Sequence, residues 1–312
     1  MPRGRKTGAA RDGIIVAGVK GRLQVIATPI GNLADLSERA RAALAQADVV
    51  AAEDTRHTGT LLKTLGLSRP LVSLHEHNES RRAAALVGRL MAGETVALVS
   101  DAGMPLLSDP GFSLVREAVQ AGVTVSVIPG PSAVTAALAV AGLPTDRFCF
   151  EGFLPARERE RRTRLAELAS ERRTLVFFEA PHRIAGALEE MAAQLGEERQ
   201  AVVARELTKA HETIYRGTLR ELATRARTEQ NLARGEITLV VHGAAGGAAA
   251  VDEPLLRRAV QLLSTELPPA KVAAIAAQLT GATRAAAYAL ATRGTPGGTE
   301  AALPPAGEKA PR

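Results

Sequence analysis

The sequence predicts an α/β protein in two parts, a parallel sheet followed by a mixed sheet, with a small helical appendage behind them. Three observations predict it. Five short apolar runs alternate with helix-patterned stretches through the first 142 residues, the spacing of βαβ units in a parallel sheet. Beyond residues 142–144 the β-rich runs draw together, and those at 200–204 and 213–218 are too close for a parallel crossover, so part of the second sheet is antiparallel. Past residue 250 the chain becomes rich in Ala and Leu at helical spacing. The expected organisation is a basic disordered tail (1–21), an N-terminal α/β domain (22–142), a C-terminal α/β domain (143–243), a helical appendage (251–293) and a disordered tail (294–312).

Taken in order, residues 23–27 form a first strand that Pro29 and Gly31 break into a tight loop. Residues 35–45 follow as a helix with Leu36, Ala40, Ala43 and Leu44 on its apolar side. Val49–Ala52 is a second strand. It ends in E-D-T-R-H, where Asp54 or Thr55 caps the next helix. Residues 71–74, 96–99 and 124–128 give three more strands, with helices at 81–91 and 112–121. The fourth strand runs V-A-L-V into Ser100, Asp101, Ala102 and Gly103, delivering a carboxylate and a backbone open to close approach. In a parallel sheet all five strand ends share one edge, where open α/β sheets bind ligands.

In the second part, β-rich runs lie at 148–153, 174–178, 200–204, 213–218 and 237–241. Residues 156–173 carry seven Arg and four Glu. The segment reads as a solvated amphipathic helix or, with its arginine surplus, as a phosphate-gripping one. A Gly/Ala linker covers 243–250, and helices are expected at 255–263, 269–279 and 283–292.

Composition removes several function classes. Aromatics are 3% with no Trp, against base-stacking platforms of the RRM kind. The single cysteine, Cys149, excludes a disulfide framework and a cysteine-based zinc site. His75 and His77 share a strand face, but without H-E-x-x-H they read as polar cleft residues, and no metal is expected. The longest apolar run, 133–143, is too short to span a bilayer, and no signal-peptide core is present, so a cytoplasmic protein with no membrane association is expected. No G-x-G-x-x-G and no Walker motif occurs. The net charge of +6 favours an acidic partner.

Eight motifs then occur in order: T-P-I-G-N-L at 28–33, A-E-D-T-R-H-T at 52–58, V-S-D-A-G-M-P at 99–105, P-G-P-S-A at 129–133, G-L-P-T-D-R-F at 142–148, E-G-F-L-P at 151–155, A-R-E-L-T-K at 204–209 and G-E at 235–236. On these the chain resembles the ribosomal RNA small subunit methyltransferase I (RsmI) family, of tetrapyrrole-methylase fold. The resemblance implies a two-domain homodimer that moves a methyl group from S-adenosylmethionine to the ribose 2′-oxygen of a cytidine. That cytidine lies in the decoding region of the 16S rRNA of the small ribosomal subunit. The family pattern has Thr where this chain has Met104, which bears on cofactor contact rather than on fold.

The resemblance implies that the cofactor lies against Pro29, Ser100, Asp101, Ala102, Gly103, Pro131, Ser132 and Ala133, and against Phe178, Leu207 and Thr208 from the second domain. In-line displacement by a hydroxyl calls for alignment and for loss of a proton. Candidate bases are Glu53, Asp54, Glu179, Glu206 and Lys209, the last only if its pKa is lowered. The same residues equally suit ion pairs or phosphate contacts. Arg56, His57, Arg161, Arg162, Arg183 and Arg205 are assigned to RNA. The fold also allows a small-molecule methylase of tetrapyrrole type; the E-D-T-R-H and A-R-E-L-T-K motifs and the Arg-rich segment favour RNA over it.

Overall fold

The computed structural model describes residues 21–75, 77–245 and 253–293. Both expected tails, apart from Gly21, and most of the expected linker lie outside the described residues. The described residues fall into two compact units, one within 1–165 and 173–242 and the other within 166–172 and 243–312.

The first unit holds two five-stranded sheets. The first comprises β1 (Arg22–Ile26), β2 (Val49–Ala52), β3 (Leu71–Ser73), β4 (Thr95–Val99) and β5 (Thr124–Ile128), in the order β3-β2-β4-β1-β5. Every pairing is parallel. Side chains of one strand alternate between two cores, as the twofold pleat requires. Leu23, Val25, Val96 and Leu98 pack with Leu86 and Leu90 of α3 (Glu79–Met91) and Leu114 of α4 (Phe112–Gln120). Ile26, Ala97 and Val99 pack on the opposite face with Leu44 of α1 (Glu38–Gln46) and Leu62 of α2 (Thr55–Thr64). Helices on both faces explain why β2 and β4 read as unbroken apolar runs. The chain leaves β1 toward β2 and β3, then returns through β4 to β5. The loops after β1 and β4 are therefore adjacent, at the point where the winding reverses.

Two helix starts beside the first sheet differ from the sequence expectation. Asp35 falls in a short 3-10 turn, Leu33–Asp35, and α1 begins at Glu38 because Ser37 caps it, its Oγ accepting from Ala40 N at 3.1 Å. Helix α3 begins at Glu79, two residues early, since an acid suits a first turn. The capping of α2 falls to Asp54, whose Oδ1 accepts from Arg56 N at 2.8 Å.

The second sheet comprises β6 (Phe148–Phe153), β7 (Thr174–Glu179), β8 (Gln200–Arg205), β9 (Thr213–Thr218) and β10 (Ile237–Val241), in the order β6-β7-β10-β8-β9. Only β6–β7 is parallel; the other three pairings are antiparallel. Helix α5 (Ala133–Ala141) lies inside the range expected for the N-terminal domain, yet it buries Val134, Ala137 and Leu138 against Val176, Val202 and Val240 of this sheet. Its C-terminus is closed by Gly142 at φ 71° and by Arg216 of β9, which donates to the carbonyls of Val140 and Ala141. Helices α6 (Glu158–Glu167), α7 (Ile184–Leu195) and α8 (Leu219–Thr228) complete the connections.

The second unit contains α9 (Glu253–Leu263), α10 (Pro269–Thr280) and α11 (Arg284–Arg293), as expected from the Ala/Leu pattern. They close on one core of Leu256, Val260, Val272, Ala276, Ala287 and Ala291.

Candidate active site

The ends of β1 and β4 are laced together before any ligand is considered. Thr28 N donates to Gly103 O at 2.9 Å, Gly103 N donates back to Thr28 O at 3.1 Å, and the buried Thr28 hydroxyl donates to Ser100 O at 3.1 Å. A side chain at Gly103, whose φ is 82°, would press on Ile30 Cγ2 at 3.0 Å and lie in contact with Pro131 O at 3.5 Å. Only glycine fits this approach of three loops.

In front of the laced loops is a cavity of about 440 Å³, the size of a site for a drug-sized ligand. One wall comes from the first sheet: Ile30, Glu53, Asp101, Ala102, Ser108, Asp109 and Ala133. The other comes from the second: Phe153, Phe178, Glu179, Ala180, Pro181, Ala204, Leu207 and Gly235 through Thr238. Small residues leave backbone exposed on both walls, and Phe153 and Phe178 lie ring to ring, 5.6 Å between centroids.

The carboxylates around this space are in different states. Asp101 Oδ1 accepts from Asp54 N at 3.1 Å, tying the loop after β2 to the loop after β4. Asp54 chelates Arg56, whose Nη2 lies 2.7 Å from Oδ2, and this bond holds the Asp54 carboxyl well below the usual range. Burial, with repulsion from Asp101 and Asp54, pushes Glu53 up. Burial and then repulsion from Glu53 push Asp109 up to about 6, against a hydrogen bond from Ser100. Glu179 is 2% exposed. Burial raises it even though Ala180 N donates to it at 2.8 Å and Arg183 pairs with it at 3.2 Å. Burial opposes ionisation of Glu206 as well, but Lys209 Nζ at 2.9 Å and the backbone N–H of Glu236 outweigh it and leave the carboxyl lowered. Lys209, also facing Glu236 at 3.2 Å, is raised despite its burial.

The cavity thus gathers Asp101, Ala102, Ala133, Phe178 and Leu207 from the cofactor set, and Glu53 and Glu179 from the candidate bases. Pro29, Ser100, Gly103, Pro131, Ser132 and Thr208 are not among its lining. Ser100 and Gly103 are buried in the lacing behind the wall. Thr208 is held by φ 64°, next to Glu206 at φ 52°, and this pair of left-handed residues turns Leu207 into the cavity wall. Lys209 as a base is a correction: its ion pairs raise it, so it holds its proton. Met104 packs against the core of the first sheet.

Three of the six arginine and histidine assignments are also corrected. Arg205 is 8% exposed, and its guanidinium donates to Arg234 O at 2.7 Å and His211 O at 3.0 Å. Arg161 pairs with Glu190 at 2.6 Å with its side chain 15% exposed. Arg183 is occupied by Glu179 and Leu154 O. These three brace protein loops: Arg205 is buried and satisfies its donors on carbonyls, and the partly exposed Arg161 and Arg183 are held in ion pairs. Arg56, His57 and Arg162 remain on the surface. His75 bonds Asn78 through Nε2 at 2.9 Å, and among the described residues no cluster of His, Cys, Asp or Glu has the makings of a metal site.

Sequence reasoning missed Ser108, Asp109, Phe153 and Glu236 as wall residues. The signal for Asp109 was present: S-D-P-G at 108–111 repeats the S-D-A-G pattern of 100–103.

The profile of the Tetrapyrrole (Corrin/Porphyrin) Methylases matches residues 22–223. Ribosomal RNA small subunit methyltransferase I of Xylella fastidiosa (strain Temecula1 / ATCC 700964) is 53% identical over 269 residues, 86% of this chain and 98% of that protein. The protein of the same name from Escherichia coli O157:H7 is 46% identical over 86% of this chain and 94% of its own length. Among solved structures, a uroporphyrin-III C-methyl transferase from Thermus thermophilus, complexed with S-adenyl homocysteine, superposes with a TM-score of 0.50 at 20% identity, covering 71% of this chain and 97% of that one.

Proposed function

The chain belongs to the tetrapyrrole methylase family, among its ribosomal RNA small subunit methyltransferase I members, and on that premise we propose that it methylates a cytidine ribose 2′-oxygen in the decoding region of 16S rRNA. S-adenosylmethionine is the methyl donor. The observation that carries the reading is the acid-lined cavity at the winding reversal of the first sheet. Its donor is a sulfonium, and Glu53, Asp101 and Asp109, which pair with no cation among the described residues, are the acids placed to attract it. Ala102, Ala133 and Ala204 admit the donor against the backbone, and Phe153 and Phe178 give an apolar face for its adenine. When bound, the donor supplies an electrophilic methyl group. The chain's part is to orient the acceptor hydroxyl in line, exclude water and take a proton.

Arg56 and His57 open α2 immediately beyond Glu53, and Arg162 is exposed on α6. They are the surface groups that meet RNA phosphate. The protein acts as a cytoplasmic homodimer, which light scattering of the purified protein checks.

Small subunits from a strain lacking the gene are the substrate for the test. Mass mapping after incubation with donor and protein is expected to show one added methyl on a cytidine ribose in the decoding region. At subsaturating RNA the rate falls steeply with salt. Methylation of a tetrapyrrole instead, or a salt-insensitive rate on small subunits, overturns the reading.

A further inference from the structure

The ionisable groups around the cavity divide into committed and uncommitted. Asp54 is spent on Arg56, Asp101 on the Asp54 N–H, Glu179 on Arg183 and Ala180 N–H, and Glu206 and Glu236 on Lys209. Three lining carboxylates have no cation among the described residues: Asp101, which the Asp54 N–H engages, Asp109, which a hydrogen bond from Ser100 engages, and Glu53. Glu53 is on the loop after β2 and Asp109 on the loop after β4, and Asp101 repels both.

We propose that Asp109 is the catalytic residue that takes the proton of the attacking ribose hydroxyl. The proposal rests on the methyl-transfer reading above. The 2′-oxygen forms its bond to the methyl carbon as the sulfur–methyl bond breaks. That bond's electron pair stays on sulfur, which becomes a neutral thioether. The hydroxyl proton passes to an Asp109 carboxylate oxygen and from there to solvent, so charge and atoms balance.

The backbone favours Asp109 over Glu53. Leu106 and Ser108 hold φ of 76° and 70°, and Gly111 holds 126°. Left-handed non-glycine residues persist only where their surroundings over-determine them. The surroundings here are visible. A side chain at Gly111 would meet Leu98 Cδ2 at 2.9 Å, and one at Gly152 would meet Ser108 Oγ at 2.9 Å. The S-D-P-G turn thus packs closely against Leu98 of β4 and Gly152 of β6, and it presents a short side chain of few rotamers in the wall. Glu53 has a longer, freer side chain at the mouth of α2. The groups facing Asp109 are Glu53 and Asp101 on its own wall, and across the cavity Glu179 with Arg183 and Glu236 with Lys209. The two that repel its charge are anions, Glu53 and Asp101. With burial they set its proton affinity close to neutral, where a general base is ionised yet still accepts a proton readily.

The test compares D109N, E53Q and the unchanged protein on small subunits, with S-adenosylhomocysteine affinity measured in parallel. D109N is expected to lower kcat by about 100- to 10,000-fold, to leave S-adenosylhomocysteine affinity nearly unchanged, and to abolish the acidic limb of the pH profile, which in the unchanged protein lies near 6. E53Q removes a neighbouring negative charge and moves that limb to lower pH, whatever it does to the plateau. D109N with a near-normal kcat overturns the proposal, and so does an acidic limb that E53Q leaves in place. If D109N loses its fold, the E53Q shift alone decides. An unchanged protein that methylates no small-subunit RNA overturns the substrate reading and this step with it, whereas normal methylation with an active D109N overturns only the step.

Discussion

The two walls of the cavity are built on opposite plans. On the wall from the second sheet, charges are partnered in place: Glu179 pairs with Arg183, Glu206 and Glu236 share Lys209, and the Arg205 guanidinium donates to two carbonyl oxygens. On the wall from the first sheet, Glu53 and Asp109 face one another and Asp101, and all lack a cation. The paired wall spends its polar groups on holding a shape. The unpaired wall keeps like charges close at a cost to folding, and gains proton affinity and attraction for a cation. The difference teaches where structure and chemistry reside in one cavity, and substitutions on either side bring it out.

The largest effect on stability is expected on the paired wall. R183A strands the Glu179 carboxyl, which is 2% exposed, and breaking a buried pair from one side costs about 3–5 kcal/mol. Removing the cation raises Glu179 further, so the loss is greatest at alkaline pH and shrinks as the carboxyl protonates. Urea unfolding at pH 8 and pH 5 measures this, and a pH-independent loss under 1 kcal/mol would mean that the pair is not a brace.

Next comes the lacing of the unpaired wall. Gly103→Val places a branched side chain at φ 82° against Ile30 and Pro131, at a backbone cost of about 1–2 kcal/mol. Calorimetry is expected to show S-adenosylmethionine binding weakened at least about tenfold, some 1.4 kcal/mol. Unchanged affinity in a folded variant would take the donor away from this wall.

K209M is milder, about 1–2 kcal/mol, because its pair is partly exposed. Its pH dependence follows from the two shifts. Glu206 is lowered from 4.5, so its share of stability is present above 4.5 and lost as pH falls through the folded value. Lys209 is raised from 10.5, so its share is present below 10.5 and lost as pH rises through its folded value. K209M therefore shows its full cost near pH 7 and converges with the unchanged protein at both extremes, which thermal melts across pH record.

D109N supplies the opposite sign. A carboxyl raised to about 6 from 3.8 makes the folded state bind the proton more tightly, so stability falls as pH rises through that interval. The Asn variant is expected to melt slightly higher than the unchanged protein at pH 8 and no higher at pH 4. A lower melting point at pH 8 would mean that the unpaired wall is not under electrostatic strain. The smallest effect belongs to the second unit: deleting residues 251–312 should leave donor affinity nearly unchanged while weakening binding to small subunits. A folded truncation that loses the donor would place that unit in the cavity's support.

The strands and helices of the first unit were legible because burial on one face or two writes a period into the chain. Val49–Ala52 reads as a strand, and it is one, buried along its length. The small-residue loops at Ser100–Gly103 and Pro131–Ala133 were legible as turn chemistry, and the eight ordered motifs identified the family. The sequence determined that carboxylates and arginines would crowd the strand ends. Which of them are partnered was decided only in three dimensions. Arg161, Arg183 and Arg205 have the composition of phosphate binders, but their counter-groups, Glu190, Glu179 and the carbonyls of Arg234 and His211, arrive from other elements. Helix α5 likewise follows β5 in the chain but packs on the second sheet, since its apolar face finds Val176, Val202 and Val240 there. Periodicity is a property of neighbours along the chain, whereas partners such as Glu190 for Arg161 and the Arg234 carbonyl for Arg205, each 29 residues away, meet only once the second sheet and its helices have assembled.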